Sequence, residues 1–295
     1  MPAALLRAWE RRYGVVAPTR TASGYRLYDD AAIDRLRTMR RLVDAGWAPS
    51  TAATSILDGS VAVDGASDQT SEDPPGAPVD PSATEAGVDE LAHRFVAAAR
   101  DVDAPAVDAV LDDLFARGSF ERVAQDLLFP TLRQLGNAWA NGEVSVAGEH
   151  LASAAVLRRL GLALDAAGSR DGQGPTVVIG LPPGGRHELG ALAFAVATRR
   201  AGIGVRYLGP DLPVEDWVAA AADADGAVIG IVTAKDRRAG VEVAQRVRAA
   251  HPDVVVALGG TAAPALEDVP RLDGSLPAAV AALRSALDQR RARDS

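Results

Sequence analysis

The sequence predicts a multidomain protein with three units: a small basic helical head, a four-helix bundle and an α/β unit built on a parallel sheet. Three observations carry this prediction. They are an uneven distribution of charge, a helical apolar period in the middle of the chain, and short β-branched runs that alternate with amphipathic stretches after Pro175. The length of 295 residues suffices for two or three compact domains.

Charge separates the head from the rest of the chain. Residues 1–57 hold nine arginines and five acidic residues, a net charge of +4, although the whole chain carries −8. Residues 58–88 hold seven acidic residues and no basic one. A basic unit attached to an acidic body indicates that only the head meets a polyanion such as DNA.

The acidic segment 58–88 is rich in Gly, Pro, Ser and Asp and nearly free of large apolar residues. Such a segment cannot bury enough surface to offset the entropy of ordering it. We therefore expect a disordered linker that separates the head from the other two units.

Residues 89–168 are predicted to form the four-helix bundle. Apolar residues recur there every three or four positions, and helix-breaking residues interrupt the pattern at 103–105, 118–119 and 141–142. Four helices with short connections make a bundle.

Residues 174–290 are predicted to form the α/β unit. The runs TVVIG, GVRYLG, GAVIGI and VVVALGG are typical of buried strands, and Ala-rich amphipathic stretches separate them. Strands that alternate with helices predict a parallel sheet covered on both faces. The last helix is expected over Pro277–Leu287.

The head combines a basic helix, a hairpin and an apolar helix. Gly24 can turn the hairpin, and Asp29 can cap a helix whose apolar face carries Ile33, Leu36, Met39, Leu42 and Val43. A basic helix suits the major groove, and an Arg/Tyr hairpin suits the adjacent phosphates. From spacing alone, a small helical domain with a solvated arginine face is an equally good interpretation.

Residues 6–49, from LRAWERRY to VDAGWAP, resemble the DNA-binding domain of MerR-type regulators. The resemblance implies a winged helix-turn-helix that binds double-stranded operator DNA through a recognition helix and a wing. Family members carry one more helix before the stretch that starts near Met1, so we expect a truncated head or a start assigned too late. The implied DNA-binding residues are Arg7, Arg11 and Arg12 on the recognition helix, and Arg20, Tyr25 and Arg26 in the wing.

His187 is the first candidate ligand in the α/β unit. It lies in the loop LPPGGRHELG between the first predicted strand and the next helix. Open parallel sheets bind ligands outside the carboxyl ends of their strands, and a neutral imidazole is a common metal ligand. A histidine near a helix N-terminus with no ligand is the alternative interpretation. His93 and His251 are interpreted as surface or packing residues.

The segment from His187 to Gly190 resembles the H-x-x-G part of cobalamin-binding domains, and Gly259-Gly260 resembles their glycine pair. The resemblance implies a Rossmann-like domain in which His187 replaces the cofactor's own base below cobalt. The glycine pair would let the backbone approach the buried nucleotide tail, and Thr233 would contact that tail through its hydroxyl.

Trp139, followed after nine residues by Glu149-His150, resembles the W-x9-EH signature of the helical cap in CarH-type photoreceptors. That resemblance implies adenosylcobalamin as cofactor, with Trp139, Glu149 and His150 around its adenosyl face. It also implies a dimer or tetramer that binds operator DNA in the dark and dissociates in light. A core Trp and a Glu favoured by the helix dipole are the alternative interpretation.

The sequence departs from these families at two positions. Gly185 stands where the family has an acid two residues before the histidine, and losing such a partner typically lowers metal affinity about 10- to 100-fold. Ala140 stands where some relatives place a histidine that captures cobalt after photolysis. Two rival functions therefore stay open: a MerR-type regulator with weakened or lost cobalamin binding that a protein partner controls, and a corrinoid carrier.

Other function classes are disfavoured. The chain has no cysteine, which excludes disulfides, thiolate metal sites and Cys nucleophiles. No motif places a nucleophile beside a base, so an enzyme is not expected. No apolar run approaches the roughly 20 residues of a membrane span, so we expect a cytoplasmic protein without a membrane partner.

Overall fold

A computed structural model describes residues 9, 13–16, 19–20, 26–27, 30–44, 47–57, 81–168 and 174–294. These residues form two compact units, Met1–Glu149 and His150–Ser295. Among the described helices, none combines the length and the apolar character that a membrane crossing requires.

The described part of the head is a short antiparallel ribbon and two helices. Arg20 pairs with Arg26 across the ribbon, which agrees with the predicted hairpin. Leu36, Met39 and Leu42 are buried, as their period predicts. The bounds are β1 (Thr19–Arg20), β2 (Arg26–Leu27), α1 (Asp30–Asp44) and α2 (Pro49–Leu57).

Helix α2 was not predicted, because its nine residues are too few to show a clear period. Its Ala52, Ala53 and Ile56 join Trp9 and Met39 in the core of the head. The head therefore builds its core from apolar side chains of both helices and from an indole that precedes the ribbon.

The bundle has the four helical segments that the sequence predicts. Breaks fall where expected: Asp103 Oδ1 accepts a hydrogen bond from Ala106 N at 3.0 Å, and Ser119 Oγ accepts one from Arg122 N at 3.5 Å. The bounds are α3 (Pro81–Arg100), α4 (Ala104–Phe115), α5 (Phe120–Val123) continuing through a π-helical turn (Ala124–Leu128) into α6 (Phe129–Ala140), and α7 (Val146–Ala166).

Helix α3 begins at Pro81, whereas the predicted linker extends to residue 88. Residues 81–88 are therefore helical. Proline is preorganised for the first turn of a helix, and the Ala and Glu residues that follow are strong helix formers. Residues 58–80 of the predicted linker lie outside the described residues.

Gly148, in the first turn of α7, lies against the backbone of α3. A Cβ atom on Gly148 would stand 2.1 Å from the carbonyl oxygen of Ala99 and 3.1 Å from Val144 Cγ1. Gly148 N also donates to Ser145 Oγ at 3.1 Å, which caps the helix. A glycine is therefore required where α7 passes α3, directly before Glu149.

The α/β unit contains a five-stranded parallel sheet in the order β4-β3-β5-β6-β7. The predicted parallel sheet and its first four strands are confirmed. The bounds are β3 (Thr176–Gly180), α8 (Leu189–Arg200), β4 (Gly204–Gly209), α9 (Val214–Ala221), β5 (Gly226–Gly230), α10 (Arg237–Ala250), β6 (Val255–Gly259), β7 (Arg271–Leu272) and α11 (Leu276–Asp294).

Two elements of this unit differ from the sequence prediction. Strand β7 was missed because two residues show no alternation. Helix α11 extends well past the predicted end at Leu287, because arginine is a good helix former and favours the C-terminal end of the helix dipole. Arg290 also forms an ion pair with Asp253, which fastens this extension to the start of β6.

We predict that Gly148→Ala destabilises the bundle by about 1–3 kcal/mol, because the added methyl group overlaps the Ala99 carbonyl. Gly136→Ala, on α6, is the matched control. A Cβ atom at Gly136 meets nothing within 4 Å, so that change should stabilise by about 0.5–1 kcal/mol through helix propensity. Thermal unfolding followed by circular dichroism measures both, and shifts of the same sign would contradict the prediction.

Candidate cofactor site

The strand order opens a crevice beside β3. The chain leaves β3 for β4 on one side and returns to β5 on the other. The loops after β3 and β5 therefore diverge at neighbouring carboxyl ends, and open α/β sheets of this order bind ligands at such a switch point. The loop after β3 carries His187, and the loop after β5 carries Thr233.

His187 places an imidazole with no hydrogen-bond partner among the described residues at this edge. Its side chain is exposed. Gly190, in the first turn of α8, is also exposed, and a Cβ atom there would meet nothing within 4 Å. The packing of the protein thus does not require a glycine at 190, whereas the close approach of a ligand would.

The residues around His187 are held by β4 and by the loop that follows it. Gly184 N donates to Asp211 Oδ1 at 2.6 Å, and Asp211 N donates to Gly185 O at 2.9 Å. Arg186 Nη2 lies 3.9 Å from Asp211 Oδ2. Asp211 therefore contacts three consecutive residues before His187, a role that sequence reasoning missed.

Glu188, on the other side of His187, is bound by Tyr207 of β4. The Tyr207 hydroxyl donates to Glu188 Oε2 at 2.9 Å. Burial, together with the hydrogen bond to the Glu188 carboxylate, raises the pKa of the Tyr207 phenol above its ordinary value. The hydroxyl therefore keeps its proton and remains a donor, and the Glu188 carboxylate is engaged by Tyr207.

The loops after β5 and β6 are joined backbone to backbone. Ile231 N donates to Gly259 O at 2.7 Å. Gly260 has φ +100°, and a Cβ atom there would stand 2.5 Å from Ile231 O, so only glycine fits. Gly259 is open instead, since its nearest such neighbour is 3.9 Å away.

Thr233 follows in the loop after β5. Its backbone N donates to Asp236 Oδ2 at 2.9 Å, which fixes the start of α10. The half-buried Thr233 hydroxyl has no hydrogen-bond partner within the described ranges and can accept one from a ligand.

The bundle presents its own candidate residues around the connection between α6 and α7. Trp139 is 49% exposed at the end of α6, an unusual exposure for an indole. Glu149 is half-buried in the first turn of α7, where the helix dipole favours a carboxylate, and His150 beside it is exposed. Each of these positions suits a residue that contacts a ligand rather than a core residue.

The side chains of the α/β unit fit a corrinoid. Within the described residues, no cluster of three or more His, Cys, Asp or Glu side chains could hold a bare metal ion. A lone exposed imidazole, His187, instead suits a metal whose equatorial ligands come from a macrocycle, as in haem proteins. The open glycines at 190 and 259 and the unpartnered Thr233 hydroxyl leave room for the rest of such a molecule.

Other predicted residues fall outside this edge. His93 Nδ1 lies 2.7 Å from Asp89 O, and His251 Nε2 lies 2.9 Å from Val218 O, as expected for surface and packing residues. A cavity of about 770 Å³ lies at the opposite edge of the sheet, between β6 and α11. None of the predicted site residues lines that cavity.

Two of the six predicted DNA-binding residues lie within the described residues. Arg20 and Arg26 face each other across the ribbon as main-chain partners. The remaining four lie outside the described residues: Arg7, Arg11, Arg12 and Tyr25.

Comparison with known proteins agrees with this architecture. The model of the MerR HTH family regulatory proteins matches residues 1–56, and the model of the B12 binding domain matches residues 91–163. The monomethylamine corrinoid protein of Methanosarcina barkeri shares the fold with a TM-score of 0.51 at 15% identity, over 68% of this chain and 95% of that one. The predicted combination of a MerR head with a Rossmann-like, corrinoid-type fold is thereby confirmed.

Two curated repressors of Myxococcus xanthus align along most of the chain. The HTH-type transcriptional repressor CarA is 30% identical over 212 residues, which cover 71% of this chain and 64% of CarA. The HTH-type transcriptional repressor CarH is 34% identical over 268 residues, which cover 88% of this chain and 84% of CarH. The chain therefore belongs to the CarH family of MerR-type transcriptional regulators with a B12-binding domain.

Proposed function

We propose that this chain represses transcription as an oligomer that adenosylcobalamin stabilises in the dark and that light dissociates. The observation that carries the proposal is the exposed imidazole of His187 at the switch point of the sheet, which has no hydrogen-bond partner in the described part of the chain. The MerR head and the B12-binding domain of the same chain support the regulatory part of the proposal.

In this proposal His187 would supply a nitrogen ligand to cobalt. The Thr233 hydroxyl and the glycines at 190, 259 and 260 accommodate the nucleotide tail, because they offer a free acceptor and a backbone without side chains. Adenosylcobalamin, when bound, supplies a cobalt–carbon bond that light breaks.

In this proposal residues of the bundle would contact the adenosyl group. Trp139 offers a flat apolar surface, and the Glu149 carboxylate can accept hydrogen bonds from ribose hydroxyls. His150, next to it, is the imidazole that could approach the same face, since Ala140 removes the histidine that some relatives use there. Departure of the adenosyl group would leave the Trp139 indole uncovered.

Avidity couples the cofactor to DNA. One head with a net charge of +4 binds operator DNA weakly, whereas heads linked in a dimer or tetramer bind at a high effective concentration. Residues 58–80, the part of the expected acidic linker that precedes α3, would give each head reach between half-sites. We place the protein in the cytoplasm, with operator DNA and its own copies as partners, and propose no catalytic activity.

Gly185 favours a second candidate: a MerR-type regulator whose cobalamin binding is lost and whose control passes to a protein partner. The purified protein would then stay colourless with any corrinoid. The third hypothesis is a corrinoid carrier, which would share the fold with the Methanosarcina protein. The MerR-type head argues against it, because a carrier does not require a DNA-binding domain.

We predict that His187→Ala lowers the affinity for cobalamin at least about tenfold and changes the visible spectrum, because cobalt loses its protein ligand. His93→Ala, an exposed histidine on α3, is the control and should leave both unchanged. Titration followed by absorption measures the effect. Equal spectra and affinities for the two variants would contradict the assignment.

We predict that Trp139→Ala weakens adenosylcobalamin binding roughly 10- to 100-fold. Covering the exposed half of an indole, about 100 Å², is worth about 2.5 kcal/mol at about 25 cal/mol per Å². The melting temperature of the apo-protein should fall only by a few degrees, because the indole, 49% exposed, packs only about half of its surface against the protein. A fall in apo stability without a change in affinity would make Trp139 a packing residue.

We predict that the protein with bound adenosylcobalamin retards operator DNA in a gel shift in the dark. Illumination of the sample before it is applied to the gel should abolish the shift. Size-exclusion chromatography of the same samples should show the oligomer only in the dark. Hydroxocobalamin, which has no cobalt–carbon bond, is the control: retardation of DNA and the elution volume should be the same in the dark and after illumination. Identical retardation of the dark and illuminated adenosylcobalamin samples would refute the light switch.

A further inference from the structure

The loop that carries His187 is anchored from the neighbouring strand rather than by an acid within its own sequence. We infer that Asp211 is a positioning residue for His187 and that its contacts replace the acid that Gly185 lacks. This inference rests on the proposed function of His187 as the cobalt ligand.

Asp211 contacts every residue from Gly184 to Arg186. Its carboxylate accepts the Gly184 N–H at 2.6 Å and faces the Arg186 guanidinium at 3.9 Å, while its own N–H donates to Gly185 O at 2.9 Å. Hydrogen bonds to a charged group are the stronger kind. One side chain and one amide thus fix the path of the three residues that lead into His187.

Tyr207 holds the loop on the other side of His187. Its hydroxyl donates to the Glu188 carboxylate at 2.9 Å, so Glu188 is directed toward β4. His187 is therefore flanked by two residues that β4 and its following loop fix, while its own imidazole stays uncommitted among the described residues. This arrangement restrains the backbone on both sides of His187 and, among the described residues, leaves both imidazole nitrogens available.

The backbone around Asp211 is shaped for this contact. Asp211 has φ +56° and follows Gly209 at φ +80°, so the chain turns sharply after β4. Asp tolerates the left-handed region better than most residues, but such a conformation persists only where surrounding contacts stabilise it. The contacts to the His187 loop supply that stabilisation.

Gly185 lies in a tight turn that leaves little space for a side chain at its own position. It is buried, and a Cβ atom there would stand 3.0 Å from Pro182 O and 3.1 Å from Leu181 Cβ. A side chain at 185 would have to displace the backbone of the turn. In this chain, a glycine at 185 accompanies an anchor on the neighbouring strand, Asp211. The family pattern, with an acid at that position, requires a different turn.

The role of Asp211 is to raise the fraction of molecules whose loop is ready to bind. An apparent dissociation constant rises in inverse proportion to that fraction, so losing the contact weakens binding without changing the final ligand set. At saturation, the spectrum of an Asp211 variant should equal that of the unmodified protein. A residue that polarised the imidazole would change the spectrum instead.

The test compares Asp211→Ala with Asp268→Ala in the full chain. Asp268 is also exposed and has φ +57°, so alanine meets the same backbone strain at both positions. In the apo-protein, NMR-detected hydrogen exchange at Gly184 should accelerate about 10- to 100-fold for Asp211→Ala only. The dissociation constant for cobalamin should rise about 10- to 100-fold for the same variant, with the saturated spectrum retained.

Gly185→Asp provides the second arm. It should bind cobalamin no more tightly than the unmodified protein and should melt at a lower temperature, because the turn has to move. Tighter binding without loss of stability, or equal exchange and affinity for Asp211→Ala and Asp268→Ala, would overturn the inference. Failure of the proposed function looks different: the unmodified protein and His187→Ala would bind cobalamin equally poorly, while the exchange at Gly184 would still depend on Asp211.

Discussion

The order of strands around β3 is the constraint on which the candidate site depends. Because β4 and β5 flank β3 on opposite sides, the chain has to separate its loops at the carboxyl ends of these strands. That separation exposes His187 on one loop and Thr233 on the other. Had β4 lain on the same side as β5, the first crossover would have covered the edge where both residues emerge.

Within each unit, a tight backbone approach lies next to candidate site residues. In the α/β unit, Gly260 lets the loop after β6 lie against Ile231, so the loops after β5 and β6 form one surface. In the bundle, Gly148 lets α7 pass close to α3 and thereby fixes the turn that contains Glu149. Gly260 thereby sets the path of the loop after β6, and Gly148 sets the position of the turn that carries the candidate residue Glu149.

The spacing of apolar residues and the sequence motifs predicted the sheet and the place of His187. They did not predict the contacts between residues that are distant in sequence. The alternation of β-branched runs with Ala-rich stretches predicted the parallel sheet, and the position of His187 after the first strand predicted its place at the sheet edge. Asp211 and Tyr207 could not be predicted, because they contact the loop after β3, which is distant from them in sequence. Gly185 looked like a simple loss in the sequence, whereas the structure places it in a buried turn where a Cβ atom would meet its neighbours at 3.0–3.1 Å.

The most direct test concerns the atom below cobalt. Electron paramagnetic resonance of the cobalt(II) form of the bound cofactor resolves splitting from the axial nitrogen. With ¹⁵N-labelled histidine in the protein and unlabelled cofactor, we expect the triplet of each cobalt line to become a doublet, and His187→Ala to remove that change. A triplet that persists in the labelled protein would mean that the cofactor keeps its own base and that His187 does not bind cobalt.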